Sequence, residues 1–199
     1  MLISVRRRIA YLAMPKTGTT AVEAALAPHC DIHLLGPGVK HAQYGKFRRF
    51  ILPMLRDGFQ VERVETVCVL REPVDWLHSW WRYRRRETLR GKPQSTEGVS
   101  FDAFVEAWLA PEDPPEFARI GRPSRFVSAP KGAPPLDHLF RYDRLDRLAA
   151  FLSERFRSEF DFPRLNVSPD DGRPELSAAV RARLERERPE EFELFHGIG

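Results

Sequence analysis

The stretch Arg8-Ile-Ala-Tyr-Leu-Ala-Met14, followed by Pro15-Lys-Thr-Gly-Thr-Thr20 and then Ala21 to Ala27, decides the reading of the fold. Its first part is short, apolar and ended by a proline, the pattern of a buried strand. The middle is a small polar turn, and the Ala and Leu content of the last part suits a helix. The same order returns downstream. Glu65-Thr-Val-Cys-Val-Leu70 is again short, apolar and β-branched, and it opens through Arg71-Glu72-Pro73 into a helical pattern from Val74 to about Arg90. Alternating units of strand, loop and helix predict an α/β fold with a parallel sheet, where ligands sit at the carboxyl ends of the strands. Both polar loops are then expected on one edge.

The rest of the chain fits around these two units. Residues 31–35 suit a short strand, and Tyr44 to Leu55 carries Phe47, Phe50, Ile51, Met54 and Leu55 at helical spacing, with a kink expected at Pro53. Pro, Gly and Ser accumulate between Lys92 and Gly98 and from Pro111 to Pro135, marking loops around a helix from Phe101 to Leu109 capped by Ser100. Asp137 to Tyr142 reads as another strand. Arg144 to Arg157 reads as a helix with Leu145, Leu148, Phe151, Leu152 and Phe156 on one side. Residues 175–187 and 190–196 read as a helical pair divided by Pro189. There is no internal repeat and no linker, so residues 1–199 are expected to form one domain.

Composition bounds the function. A hydrophobic fraction of 42% with 14 Phe and 4 Trp is enough for a core and excludes a disordered chain. No apolar run approaches the roughly 20 residues of a membrane helix. Arg6, Arg7 and Arg8 precede an apolar stretch as in a signal peptide, but that stretch is too short and runs into a polar loop, so a cytoplasmic protein is expected. Cys30 and Cys68 make neither a disulfide framework nor a metal knuckle, and Cys68 sits in a strand-like run that suits a buried thiol. The net charge of +4 favours anionic ligands.

The first polar loop has the chemistry of an anion site. Unpaired N–H groups at a helix start point at a bound anion, and the helix dipole favours its charge. Gly18 lets the backbone approach an oxyanion, Thr17, Thr19 and Thr20 add hydroxyls, and Lys16 adds a full positive charge. An ordinary strand-to-helix turn with a solvated lysine is the plain alternative. The nucleotide P-loop pattern is not met, because that motif needs an earlier Gly and places its Lys after the last Gly. The second strand, moreover, ends in Arg71 where a Mg²⁺-dependent ATPase would carry an Asp.

What the two loops resemble is the sulfotransferase family, whose donor is 3′-phosphoadenosine 5′-phosphosulfate (PAPS). Its 5′-phosphosulfate loop is similar to Pro15-Lys-Thr-Gly-Thr-Thr20 directly after the first strand. Its 3′-phosphate motif pairs an Arg ending a later strand with a Ser eight positions on, the spacing of Arg71 and Ser79. Trp81 falls where the family often has an aromatic. The family often has a second Arg where this chain has Trp76, a position then free to pack. Leu139 to Leu145 resembles the late strand and following helix start, and Asn166-Val-Ser168 with Glu191-Phe-Glu-Leu-Phe195 looks like the tail of compact carbohydrate-type members, with Phe192 and Phe195 as core residues.

The resemblance implies a P-loop-like, three-layer α/β fold with a central, mostly parallel sheet flanked by helices. It implies transfer of a sulfuryl group from PAPS to a hydroxyl acceptor, with a carbohydrate favoured and no metal required. Pro15, Lys16, Thr17, Gly18, Thr19, Thr20, Arg71 and Ser79 would hold the donor, and Lys16 would also act on the transferring group. Lys131-Gly132 is similar to a nucleotide-contacting loop in some relatives, and the segment 111–135 is the expected acceptor-facing lid.

The acceptor must lose a proton. Among the histidines, His41 is favoured, since it lies after the first unit, where related enzymes often place a catalytic His. Glu23 is the rival, as some relatives use a glutamate, and its plain role is a helix-start carboxylate; His78 ranks third. The run Arg82-Tyr-Arg-Arg-Arg86 with Arg90 and Lys92 suits either a wall for an anionic glycan or a solvated helix face. No helix-turn-helix, zinc or RNA-binding pattern points to nucleic acid. A small-molecule or nucleoside kinase of P-loop type, or a non-catalytic binding module, are the competing classes.

Overall fold

Leu2–Ser4 (β1), Ile9–Leu12 (β2), Ile32–His33 (β3), Glu65–Leu70 (β4) and His138–Arg141 (β5) form a five-stranded mixed sheet in the order β3-β1-β2-β4-β5. β2, β4 and β5 run parallel, with Leu12 opposite Cys68 and Leu70 opposite Arg141. The chain therefore leaves all three strands at one edge. In β2 and β4 both side-chain parities are buried, Ile9 and Tyr11 alternating with Ala10 and Leu12, and Val67 and Val69 with Cys68 and Leu70. Burial on both faces is why these strands read as continuous apolar runs rather than alternating ones.

The computed structural model describes residues 1–162 and 174–199 of the chain. Two compact units appear, one holding Met1–Arg71 and the segment from Pro123, the other holding Glu72–Arg122 and the C-terminal helices. The architecture is mixed α/β.

In the first unit, Thr19–Leu26 (α1) buries Ala21, Val22 and Leu26. Val22 and Leu26 join Ile9, Tyr11, Val67 and Val69 of the sheet in a core that also takes Leu148, Leu152 and Phe156. Burial of such side chains contributes about 1.5–3 kcal/mol each. The helix expected around Tyr44 to Leu55 runs on to Phe59 but is not uniform: Tyr44–Lys46 (α2) passes through a π-helical turn, Phe47–Ile51, into Leu52–Phe59 (α3). Pro53 lies in the first turn of α3 and has no N–H to give the preceding turn, so the ladder widens before it instead of breaking. Gln60 ends α3 in the left-handed region, and Val61 N–H returns to Leu55 O at 3.2 Å.

In the second unit, Pro73–Arg84 (α4) and Phe101–Leu109 (α5) lie where the pattern puts helices, and the Ser100 hydroxyl accepts from Ala103 N–H as the cap of α5. α4 stops short of the expected Arg90. Its last turn is met by the downstream loop, where Thr96 N–H bonds to Arg84 O at 3.2 Å and Thr96 Oγ1 donates to Trp81 O at 2.7 Å. Carbonyls satisfied from outside the helix leave no reason to extend it. Trp76 is buried and meets Trp80 and Trp108 edge-on, so it packs.

The segment read as loop from 111 to 135 is partly helical. It holds a 3₁₀ turn at Glu116–Ala118 in the second unit and Pro123–Val127 (α6) in the first. Leu145–Phe156 (α7), Ala178–Glu187 (α8) and Pro189–His196 (α9) complete the helices, with Pro189 at the first position of α9. Phe195 is buried and Phe192 half-buried, whereas Asn166-Val-Ser168 lies outside the described residues. No helix among the described residues is long and apolar enough to cross a membrane.

One strand escaped the sequence reading. β1 spans three residues, too short for periodicity to register, and it is joined to β2 by a turn in which Arg8 adopts φ 55 and its N–H bonds to Val5 O. Arg6, Arg7 and Arg8 thus lie in the turn of the β1–β2 hairpin.

A polar latch fixes the pairing of β4 with β5. Asp137 Oδ2 accepts from Thr66 N–H at 2.8 Å and from Thr66 Oγ1 at 2.7 Å, while Asp137 N–H donates back to Thr66 Oγ1 at 3.1 Å. Burial would raise the Asp137 pKa, but the Thr66 hydrogen bonds, with Arg63 nearby, outweigh it and hold the carboxyl below its usual range. A depressed carboxylate contributes stability above its unfolded pKa and loses it as the pH falls through the folded value. Asp137→Asn is therefore expected to cost about 1 kcal/mol at pH 7 in urea melts, with the gap to wild type closing below about pH 4. A gap of equal size at pH 7 and pH 3 would contradict the assignment.

Candidate anion site at the sheet edge

The parallel register places the residues after β2, β4 and β5 side by side. After β2 the chain turns at once, with Met14 N–H bonding to Leu12 O at 2.9 Å and the buried Thr17 hydroxyl donating to Met14 O at 2.8 Å. Lys16 adopts φ 68 and Gly18 φ 73. A left-handed lysine costs on the order of 1 kcal/mol, so this turn is held in shape by its surroundings.

Gly18 precedes α1 with no side chain to cap it. Its carbonyl accepts from Ala21 and Val22 N–H at 3.0 and 3.2 Å, which starts the helix. Thr17 N–H turns back towards Met14 O, and among the described residues no protein acceptor meets the N–H groups of Gly18, Thr19 or Thr20. Successive donors without an acceptor, at the positive end of a helix, are what an anion needs.

After β4 comes Arg71. Its Nη1 donates to Lys16 O at 3.3 Å, which brings the arginine of the second motif onto the loop of the first. After β5 comes Tyr142, with the Arg71 guanidinium over its ring at 4.6 Å from the centroid. Gly18 is the third party: a Cβ added there would lie 2.8 Å from Tyr142 Cε2. Loop, arginine and tyrosine form one cluster. Sequence reasoning named the loop and Arg71 but missed Tyr142, whose only signal was its place at the end of the third parallel strand.

His41 reaches the same edge. Its Nδ1 lies 2.6 Å from the carbonyl oxygen of Ala13, the residue just before Met14. A carbonyl oxygen only accepts, so Nδ1 carries the hydrogen and Nε2 of the neutral ring keeps its lone pair. The ring is exposed. Glu23, by contrast, is committed: one oxygen meets the Met1 ammonium at 3.3 Å and the other Lys40 Nζ at 3.0 Å, in a largely buried cluster. Removing a proton acceptor from such a pair would leave two cations without their partner.

The second unit holds Ser79 and His78 on α4. Ser79 is half-buried, and His78 is buried against Trp81 and Phe101, ring centroids 5.7 and 5.3 Å away, as part of an aromatic core. The basic run is not one wall. Arg84 is buried and donates to the carbonyls of Glu116 and Arg119, Arg85 and Arg86 lie over Trp81 and Tyr83, and Arg90 pairs with Glu87 and Glu97. Much of its charge serves structure. Lys131 and Gly132 form an exposed turn in the first unit. Cys68 is buried as expected, and burial pushes its thiol well up; the Cys30 thiol is pushed up to about 12 by burial and then by Asp31.

Gly18→Ala tests the cluster directly. It forces a side chain into the left-handed region and against the Tyr142 ring, and is expected to cost about 2 kcal/mol in a urea melt. Unchanged stability would mean that the ring and the turn are not in contact. Comparisons of the chain with protein-family models and with curated protein sequences found no match.

Proposed function

We propose that this protein is a sulfotransferase of P-loop-like fold that moves a sulfuryl group from 3′-phosphoadenosine 5′-phosphosulfate to a hydroxyl acceptor, a carbohydrate by preference. The observation that carries the reading is the contact between Arg71 and the Lys16 carbonyl: two cationic motifs, far apart in sequence, share one sheet edge beside the amides of Gly18, Thr19 and Thr20, which have no acceptor among the described residues. A nucleotide with phosphate at both its 3′ and 5′ positions matches that pairing.

The chemistry follows from the charges. Sulfuryl transfer passes the sulfur in line between two oxygens, so catalysis rests on positioning and on stabilising charge. A bond forms between the acceptor oxygen and sulfur, and the bond from sulfur to the bridging phosphate oxygen breaks. The electron pair leaves with the phosphate as adenosine 3′,5′-bisphosphate. In this reading the amides of Gly18 to Thr20 and the Lys16 ammonium hold the 5′ end and take up the charge that develops there. Arg71 holds the 3′-phosphate, and Pro15 sets the entry to the turn. His41 Nε2, left basic by the bond from Nδ1 to Ala13, takes the proton of the acceptor hydroxyl. Glu23, tied to Lys40, is left to a structural role.

A transfer assay with radiolabelled donor and a panel of hydroxylated acceptors tests the proposal. Label is expected on an acceptor with the wild type, with turnover at saturating donor falling about 10²–10⁴-fold in His41→Gln and at least as far in Lys16→Ala. Absence of transfer to every acceptor, or undiminished turnover in Lys16→Ala, would overturn it. Transfer of a phosphoryl group from ATP in the same assay would point to the kinase class.

A further inference from the structure

We infer that Tyr142 is the positioning residue of this site: its ring fixes the Arg71 guanidinium against the turn at Gly18 and so sets the preference for a nucleotide that carries a second phosphate. The identity of that ligand rests on the sulfotransferase reading; the placement of the arginine does not.

Tyr142 follows β5 directly, and Leu70 lies opposite Arg141 in the parallel pair, so Tyr142 and Arg71 are neighbours by register. The guanidinium lies 4.6 Å from the ring centroid, within the range of a cation-π contact. The edge of the same ring fills the space beside Gly18, where any Cβ would meet Cε2 at 2.8 Å and Cδ2 at 3.4 Å. Arg71 is also tied to the loop by the bond from Nη1 to Lys16 O. The guanidinium is thus held by an aromatic face and a backbone carbonyl, and the aromatic ring is itself packed on Gly18. An arginine side chain surrenders substantial rotamer freedom when it is fixed, and fixing it in advance removes that cost from binding. The ring, not the hydroxyl, makes these contacts.

Two measurements test this. Affinities for adenosine 3′,5′-bisphosphate and for adenosine 5′-phosphate are compared in wild type, Tyr142→Phe and Tyr142→Leu. Tyr142→Leu is expected to weaken the bisphosphate about tenfold while leaving the monophosphate within about twofold, and Tyr142→Phe to keep both. Equal weakening of the two nucleotides, or none, would overturn the inference in favour of a purely structural tyrosine. The second measurement needs no ligand and no leucine variant: the Arg71 Nε–H resonance, assigned by its loss in Arg71→Lys, is expected to show a ring-current shift in the wild type. A position typical of a free arginine would overturn the inference even if Tyr142→Leu fails to fold. If the wild type binds neither nucleotide, the sulfotransferase reading fails while the arginine resonance still decides the role of Tyr142.

Discussion

The parallel pairing of β2, β4 and β5 is the constraint on which the rest depends. Nothing in the local sequence of Pro15 to Thr20 requires Arg71 to be near it; the register that puts Leu12 opposite Cys68 does so. The next pairing, Leu70 with Arg141, delivers Tyr142 to the same place. A slip of one residue would exchange the side chains that pack on the two buried faces, so the close packing that specifies the core also specifies which residues meet at the edge. The arrangement of residues at the edge is a consequence of the packing beneath it.

That dependence explains what the sequence made legible. Glu65–Leu70 and Phe101–Leu109 were readable to the residue because each signal was local: an apolar β-branched run in one case, a serine cap before a periodic helix in the other. The turn at Lys16 and Gly18 was readable as a turn because Pro15 ends the apolar strand and small polar residues separate it from the helix. Trp76 could be set aside as a packing residue, and it packs. β1 was hidden because three residues carry no period, and α4 ran long on paper because the bonds that end it come from Thr96, a dozen residues beyond. Tyr142 was quoted within a strand and left without a role, since its partners Arg71 and Gly18 are remote in sequence.

Charge alone was the poorer guide. The arginine run on α4 reads as a basic face, yet Arg84 is buried among backbone carbonyls and Arg90 is neutralised by two glutamates. Glu23 reads as a carboxylate one turn past a binding loop, yet it is saturated by cations. His41 is distinguished by one backbone bond that decides which of its nitrogens remains basic. In each case the partner, not the residue type, assigns the role.

The central claim is that this sheet edge binds a nucleotide with phosphates at both ends and does so without a metal ion. Titration calorimetry of the wild-type chain in Mg²⁺-free buffer with adenosine 3′,5′-bisphosphate and, separately, with ATP addresses it most directly. Saturable binding of the bisphosphate with ATP markedly weaker is the result the proposed function predicts; the reverse order, or heat from neither, would contradict it.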